Sequence, residues 1–360
     1  MPSVSKSRKI TAKSSINAKN RLLGFWLVWV AFLVFLMILL GGVTRLTGSG
    51  LSMVDWKPLM GVLPPMNEGD WIELFEKYKL FPEYKLKNFG IELKEFKLIF
   101  WFEYAHRILG RLIGIFFIVP FLYFFLKKML SNRNLVIFFG IFFLGFVQAL
   151  LGWFMVQSGL QSEAEVSQYR LAAHFALAVM IYLALLWNSF SMFYPLKPGF
   201  LNIIKSGPSV FFTICLIFIV MISGAFMAGT NAGLSYNTFP YMDGKIIPEG
   251  IFQMQPWSKN FFENIITIQF FHRIMAVSLV VLIFLLWLKN LKHVLSNFFS
   301  DYNLLFLAAI FQFCIGILTL LFVVPLPLGI LHQFGSIVLI TAGIFVLHNS
   351  TYKIYKLYDH

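Results

Sequence analysis

Long apolar runs separated by short polar connections dominate the chain from residue 22 to residue 348. A helix needs about 20 residues to cross the roughly 30 Å of bilayer hydrocarbon. The pattern therefore predicts eight membrane-spanning helices, at residues 22–41, 98–126, 135–156, 171–193, 210–228, 265–288, 304–324 and 328–348. Because backbone groups in lipid must bond to one another, we expect an all-α integral membrane protein.

Composition supports this interpretation, and the distribution of charge orients the chain. Apolar residues make up 59% of the sequence and charged residues 12%. The net charge of +13 could suggest a nucleic-acid partner, but the basic residues lie in short segments between the apolar runs. They precede the first predicted helix and follow the second, fourth, sixth and eighth, which places both termini in the cytoplasm. We expect a multi-pass protein of the inner (cytoplasmic) membrane, or of the mitochondrial inner membrane in a eukaryote, with lipid and not nucleic acid around it.

The chain repeats itself. Four motifs recur in the same order in both halves: residues 50–52 and 233–235, residues 104–108 and 270–274, Gln148 and Gln312, and His174 and His332. Each half has an even number of predicted spans, so both halves have the same orientation. We therefore expect two tandem four-helix bundles related by a pseudo-two-fold axis along the membrane normal.

The repeat also divides the chain into segments. A basic cytoplasmic tail is predicted at 1–21, an N-terminal four-helix half at 22–195 and a cytoplasmic linker at 196–208. A C-terminal four-helix half is predicted at 209–350 and a second cytoplasmic tail at 351–360.

Four histidines are predicted to lie inside the bilayer at a similar depth: His106, His174, His272 and His332. A single histidine of this kind is most often a hydrogen-bonded polar residue at a helix contact, because an imidazole facing lipid is unfavourable. Two such histidines in each repeat instead indicate that they are ligands of a metal ion or of a haem iron. They are too few for a closed zinc site, whereas a haem needs only two axial nitrogens. We expect one haem between His106 and His174, and another between His272 and His332.

Charged neighbours of these histidines distinguish the two halves. Arg107 and Arg273 each follow a histidine and could bind haem propionates, with Arg45 a weaker candidate, although arginines there can also extend to the headgroups. Glu103 lies one helical turn before His106, and its counterpart in the second half is Gln269. A carboxylate there could move protons, stabilise a cationic intermediate or pair with Arg107. Chemistry is therefore expected in the first half.

Five segments carry a resemblance to a known family. They are GVTRLT at 42–47, GLSMVDW at 50–56, FEKYK at 75–79, FPEY at 81–84 and EYAHR at 103–107. These segments closely resemble the haem A synthase family, and the similarity extends over nearly the whole chain. Residues 42–97 contain no cysteine, so the resemblance is to the mitochondrial and alphaproteobacterial type.

The resemblance implies oxidation of the C8 methyl group of haem O to the formyl group of haem A, which is destined for cytochrome c oxidase. Water is the expected oxygen source, although the residues do not reveal it. In that family the first half holds the substrate haem, which points to His106 and His174, and Glu103 matches a carboxylate important for activity. The second half holds a haem b cofactor, which points to His272 and His332.

Several partners follow from the same resemblance: haem O synthase, cytochrome c oxidase assembly factors and an electron donor such as a ferredoxin system. A homo-oligomer is also possible, and the sequence does not decide the oligomeric state. Two other functional classes remain as alternatives. A non-catalytic dihaem protein could relay electrons between a quinol and a partner, and a transporter could also use parallel repeats. Haem O synthase itself is disfavoured because the sequence lacks an Asp-rich pyrophosphate-binding motif.

Overall fold

The structure is a computed structural model that describes residues 3–54, 63–161, 164–194, 204 and 207–358. Within these ranges the regular secondary structure is helical, apart from one isolated bridge between Met242 and Lys245, and the helices are joined by turns and loops. Eight of the described helices are long and apolar enough to cross a membrane. The predicted all-α membrane architecture with eight spans is confirmed.

The first half contains four long helices and two short ones outside the membrane. The long helices are α1 (Ser3–Leu46), α4 (Leu93–Leu126), α5 (Asn132–Gly159) and α6 (Gln168–Phe193). The short helices α2 (Glu68–Lys79) and α3 (Pro82–Leu86) precede α4. Asn67 caps α2 by accepting a hydrogen bond from the Asp70 backbone N–H, which satisfies one of the free donors at the helix start.

The second half follows the same order. Its long helices are α7 (Pro208–Gly229), α9 (Ile265–Lys289), α11 (Asp301–Leu321) and α12 (Leu326–Tyr358), with the short helices α8 (Asn260–Glu263) and α10 (Leu291–Ser296) between them. Asn264 caps α9 through its side chain, and Ser300 caps α11.

Packing closes each half into a ring of four helices. In the first half the contacts run α1–α4–α5–α6–α1, and in the second half they run α7–α9–α11–α12–α7. The halves meet through α1, α6, α7 and α12, and residues of both contribute to one continuous apolar core. Helix α5 lies at the periphery, with 11% of its most apolar window buried against 50% for α1.

An outer cap covers the start of α4. We define it as the aromatic cluster Trp71, Phe75, Tyr78, Phe96 and Phe100. Tyr78 and Phe96 are fully buried, and their ring centroids lie 5.1 Å apart. Because this cluster packs against the first turns of α4, the helix begins at Leu93 and not at the predicted residue 98.

Other predicted boundaries also shift. Helix α1 begins at Ser3, inside the predicted tail at 1–21, and α12 continues to Tyr358, through most of the predicted tail at 351–360. His348, expected at a helix end, is instead 1% exposed and packs on Trp187 and Phe190 of α6. Apart from residues 204, 207 and 208, the predicted linker at 196–208 lies outside the described residues. The pseudo-two-fold axis and the division into halves stay predictions.

Candidate functional site

The four predicted histidines occupy opposite corners of the two helix rings. His106 lies on α4 and His174 on α6, while His272 lies on α9 and His332 on α12. In each half these two helices are diagonal in the ring, so their side chains face each other across the bundle interior. All four histidine residues are half-buried.

A glycine on a neighbouring helix faces each histidine ring. A Cβ atom built on Gly152 or Gly316 would lie 2.9 Å or 2.8 Å from the Cε1 atom of His174 or His332. A Cβ atom on Gly41 or Gly224 would lie 3.4 Å from the ring of His106 or His272. Only a residue without a side chain allows the approach seen at Gly152 and Gly316.

The repeated glutamines contact the second histidine of each half, but at different ring atoms. Gln148 Nε2 lies 3.2 Å from His174 Nε2 and donates to the His174 carbonyl at 3.0 Å. Gln312 Nε2 lies 3.1 Å from His332 Nδ1. The Oε1 atom of each glutamine is buried and has no protein partner among the described residues. The sequence repeat identified these glutamines but suggested no role for them.

Glu103 is buried beneath the outer cap, with 4% of its surface exposed. Its Oε2 atom accepts hydrogen bonds from Ser52 Oγ and the Met53 backbone N–H, each at 2.7 Å. Its Oε1 atom pairs with Arg107, which also donates to the Met53 carbonyl at 2.8 Å. Three hydrogen bonds thus join α4 to the loop after α1, and together with the ion pair inside α4 they hold the carboxylate in one orientation one turn before His106.

The second half reproduces this contact with a neutral side chain. Gln269 donates to the Tyr236 carbonyl at 3.0 Å, and Arg273 donates to the same carbonyl at 2.6 Å. Tyr236 follows the repeated segment 233–235, as Met53 follows 50–52. The loop contact is therefore common to both halves, but only the first half has a carboxylate in it.

Two of the three arginines bond mainly to backbone in this structure. Arg273 also donates to the carbonyls of Thr238 and Tyr241, at 2.7 Å and 3.4 Å. Arg45 reaches into the second half, where it donates to the Ala228 carbonyl at 2.6 Å and to Asn231 Oδ1 at 3.1 Å. The Nε atoms of Arg45 and Arg273 are buried and have no protein partner among the described residues. Propionate contacts from these residues remain predictions.

A second buried carboxylate lies at the outer cap. Glu83, 4% exposed, accepts a hydrogen bond from the Tyr78 hydroxyl at 3.0 Å, and that hydroxyl accepts one from Asn88 at 2.7 Å. Burial raises the pKa of Glu83 to about 7, and the charge of Glu103 acts in the same direction. Burial also raises the pKa of Tyr78, with the charge of Glu83 adding to the shift. The sequence showed Glu83 only as part of a motif.

Ser223 is a further residue that sequence reasoning missed. Its hydroxyl donates to the Val220 carbonyl at 2.7 Å and lies 2.7 Å from His272 Nδ1. The offset between residues 50–52 and 233–235 aligns Ser223 with Leu40. This difference between the halves is visible in the sequence only after the repeat has been aligned position by position.

The donor set in each half fits a haem better than a bare metal ion. Among the described residues no three His, Cys, Asp or Glu side chains come together in a way that could hold a metal by themselves. Two imidazoles on diagonal helices match the two axial positions of a haem iron. The glycines let a neighbouring helix pack directly against each ring. The buried Oε1 atoms of Gln148 and Gln312 and the Nδ1 atom of His174 have no protein partner among the described residues.

Comparison with known proteins finds relatives along nearly the whole chain. Residues 24–344 match the family model COX15-CtaA, which is described as a cytochrome oxidase assembly protein. The chain is 47% identical to a haem A synthase of Nitrosospira multiformis over 334 residues, which cover 92% of this chain and 94% of the relative. It is 45% identical to that of Nitrosomonas eutropha, over 90% and 92% of the two chains. Identity to that of Parvibaculum lavamentivorans is 43%, over 94% and 97%.

Proposed function

The chain belongs to the COX15-CtaA family of cytochrome oxidase assembly proteins, and from that premise we propose that it acts as a haem A synthase. The reaction is the oxidation of the C8 methyl group of haem O to a formyl group. The observation that carries the proposal is the buried carboxylate of Glu103, which is held beside His106 in the first half only.

The two halves have different roles in this proposal. His106 and His174 hold the substrate haem O, and His272 and His332 hold a haem b cofactor. Haem b supplies one-electron transfer when it is bound. The support for this division is the exchange of Glu103 for Gln269 at matching places, because a resident electron carrier needs no ionisable group beside its ligand.

Conversion of a methyl group to a formyl group with water as the oxygen source releases four electrons and four protons. Positive charge develops at the methyl carbon as electrons leave it. Glu103 is suited to stabilise this charge or to accept a proton, because its carboxylate is pre-oriented in a site that the outer cap shields from water. Ser52, the Met53 backbone and Arg107 keep it in place while the charge changes.

The surroundings of the protein follow from its family and its charge distribution. It is a multi-pass membrane protein that functions in cytochrome oxidase assembly. We place it in the inner (cytoplasmic) membrane with both termini in the cytoplasm, because the basic connections lie at those ends of the helices. Haem O synthase would supply the substrate, oxidase assembly factors would receive the product, and a ferredoxin-type system is the proposed electron-transfer partner.

The test is Glu103→Gln, which installs the residue that the second half already has. We expect haem O conversion to fall by about 100-fold or more, the usual effect of removing a group that stabilises transition-state charge. Haem O or a hydroxylated intermediate should accumulate, and both haems should remain bound. Extraction of the haems from purified protein, followed by chromatography, measures all of these quantities.

Gln269→Glu is the matched control and should leave the conversion largely intact. The rival electron-transfer function predicts haem b in both halves, no haem O or haem A in any preparation, and no effect of Glu103→Gln. That result would refute the synthase proposal.

A further inference from the structure

The hydrogen bond between Ser223 and His272 determines which ring nitrogen is available to a ligand. A serine hydroxyl has one proton, and Ser223 donates it to the Val220 carbonyl at 2.7 Å. With the Ser223 proton directed to that carbonyl, Ser223 Oγ accepts from His272 Nδ1, which lies 2.7 Å away, and Nδ1 carries the proton in this tautomer. His272 Nε2 is then the unprotonated nitrogen, which is the form that a haem iron binds.

The other histidine of the second half is also contacted at Nδ1. Gln312 lies 3.1 Å from His332 Nδ1, and its Oε1 atom has no partner in the present orientation of the amide. Rotation of that amide by half a turn would let Oε1 accept from a protonated Nδ1. Both histidines of the second half can thus present Nε2 while Nδ1 is held by the protein.

The first half is arranged differently. His174 is contacted at Nε2, which lies 3.2 Å from Gln148 Nε2, while its Nδ1 atom has no protein partner among the described residues. His106 Nε2 is the ring atom nearest to the Cβ position of Gly41, at 3.4 Å. Leu40 stands where Ser223 stands in the second half and has no group that could hold His106 through Nδ1.

We propose that Ser223 is a positioning residue that fixes His272 for long-term retention of haem, and that the first half, with Leu40 in its place, is built to exchange its haem. This inference rests on the proposed function, in which the first half binds a substrate and the second half a cofactor. A substrate site must release its product, whereas a cofactor site must not. Outer hydrogen bonds to ligating histidines orient the ring and strengthen the ligand, so their absence favours release.

The test compares full-length, haem-loaded variants. Rates of haem transfer to excess apomyoglobin give retention in each half, because haem b and haem O or A are separable by chromatography. In Ser223→Ala we expect haem b to leave about 10-fold faster or more, the usual effect of losing such a bond. We also expect its midpoint potential to rise, because a ligand that donates less charge stabilises ferric iron less.

Three further variants exclude a merely structural effect. Ser223→Thr keeps the hydroxyl and should restore both the release rate and the potential. Thr213→Val removes a hydroxyl on α7 that bonds only to the Ser209 carbonyl, and it should change neither quantity. Leu40→Ser adds the missing group to the first half and should slow release of the haem bound there.

Failure of this inference is distinguishable from failure of the His272 ligand assignment, and haem O conversion in the Glu103→Gln experiment tests the proposed function separately. If Ser223→Ala releases haem b at the wild-type rate and potential, while His272→Ala has lost haem b, the inference is wrong and the ligand assignment stands. If His272→Ala retains haem b fully, the ligand assignment is wrong, and the inference fails with it.

Discussion

At the scale of single residues, the outer cap buries the carboxyl group of Glu83, and the effect of this burial on stability depends on pH. Glu83 is almost completely covered, and its partner Tyr78 is a neutral donor that offsets only part of the lost hydration. Because burial raises the pKa of Glu83 to about 7, the folded state binds a proton more tightly than the unfolded chain does. Stability of the cap should therefore fall as pH rises from about 4.5 to about 7, and stay low above that.

Glu83→Gln tests this expectation, because glutamine keeps the acceptor for Tyr78 and removes the charge. We expect the variant to resist protease cleavage between residues 63 and 92 better than wild type at about pH 8, and to match it at about pH 5. Comparison of the two proteins at each pH removes the pH dependence of the protease. An equal advantage at both pH values would show that charge on Glu83 is not the cause.

Glu103 illustrates how one residue can separate two otherwise similar sites. The backbone of the loop after α1 is bound through Met53, and that after α7 is bound through Tyr236. The Glu103 carboxylate accepts a hydrogen bond from the Met53 N–H, whereas the Gln269 amide donates one to the Tyr236 carbonyl. The same local fold therefore accommodates both residues, and chemistry can differ without a change of architecture.

At the scale of helices, close packing of α5 on α6 and of α11 on α12 places the second histidine of each half. Gly152 and Gly316 permit this packing, since a methyl group at either position would overlap a histidine ring. Gly145, on the same helix as Gly152, faces open space by the same measure. The glycines beside the histidines thus have a steric role that the other glycine does not share.

Gly152→Ala should weaken haem binding in the first half, and Gly316→Ala in the second half. Overpacking of this kind is unfavourable by about 1–3 kcal/mol, or roughly 5- to 150-fold in affinity. The measurement is the content of each haem after purification and its loss to a scavenger. Gly145→Ala is the control and should behave like wild type. Loss of the same haem from both variants would refute the separate assignment of the two pairs.

At the scale of the whole molecule, the two halves are joined near the outer surface by a polar chain of contacts. Arg45 of the first half binds Asn231 at the end of α7, and Asn231 donates to Glu165 Oε1 at 3.1 Å. Lys87, beside the outer cap, pairs with the same carboxylate oxygen. The cap, both halves and the loop before α6 are therefore connected through four side chains.

Arg45→Ala should lower the stability of the assembled halves by about 1–3 kcal/mol, because it removes hydrogen bonds from a charged donor. Thermal unfolding in detergent measures the loss. Asn231→Gly is the companion variant, since Asn231 has a φ of 55° that glycine adopts freely. The two changes should be non-additive, because they delete the same contact.

A propionate contact by Arg45 would give a different result. The first-half haem would then be lost in Arg45→Ala, and the two substitutions would act independently on unfolding. The double-mutant cycle and the haem content together decide between the two roles of Arg45.

The sequence alone determined the number of spans, the repeat and the identity of the four histidines. Hydropathy acts over one helix length, so eight apolar runs specify eight helices whatever their later packing. The exchange of Glu103 for Gln269 was also visible, because it needs only the repeat alignment. The predicted helix boundaries were wrong where another segment packs against the end of a helix. At Leu93, for example, α4 begins before the apolar run because it packs against the outer cap.

Only the tertiary structure decided how each imidazole is held. Ser223 and His272 are 49 residues apart on different helices, and no local pattern brings a hydroxyl to a particular ring nitrogen. The reach of Arg45 into the second half depends in the same way on helices that are distant in the chain. Local periodicity sets which face of a helix is apolar. The contacts between helices set which atoms of the polar residues are left free for chemistry.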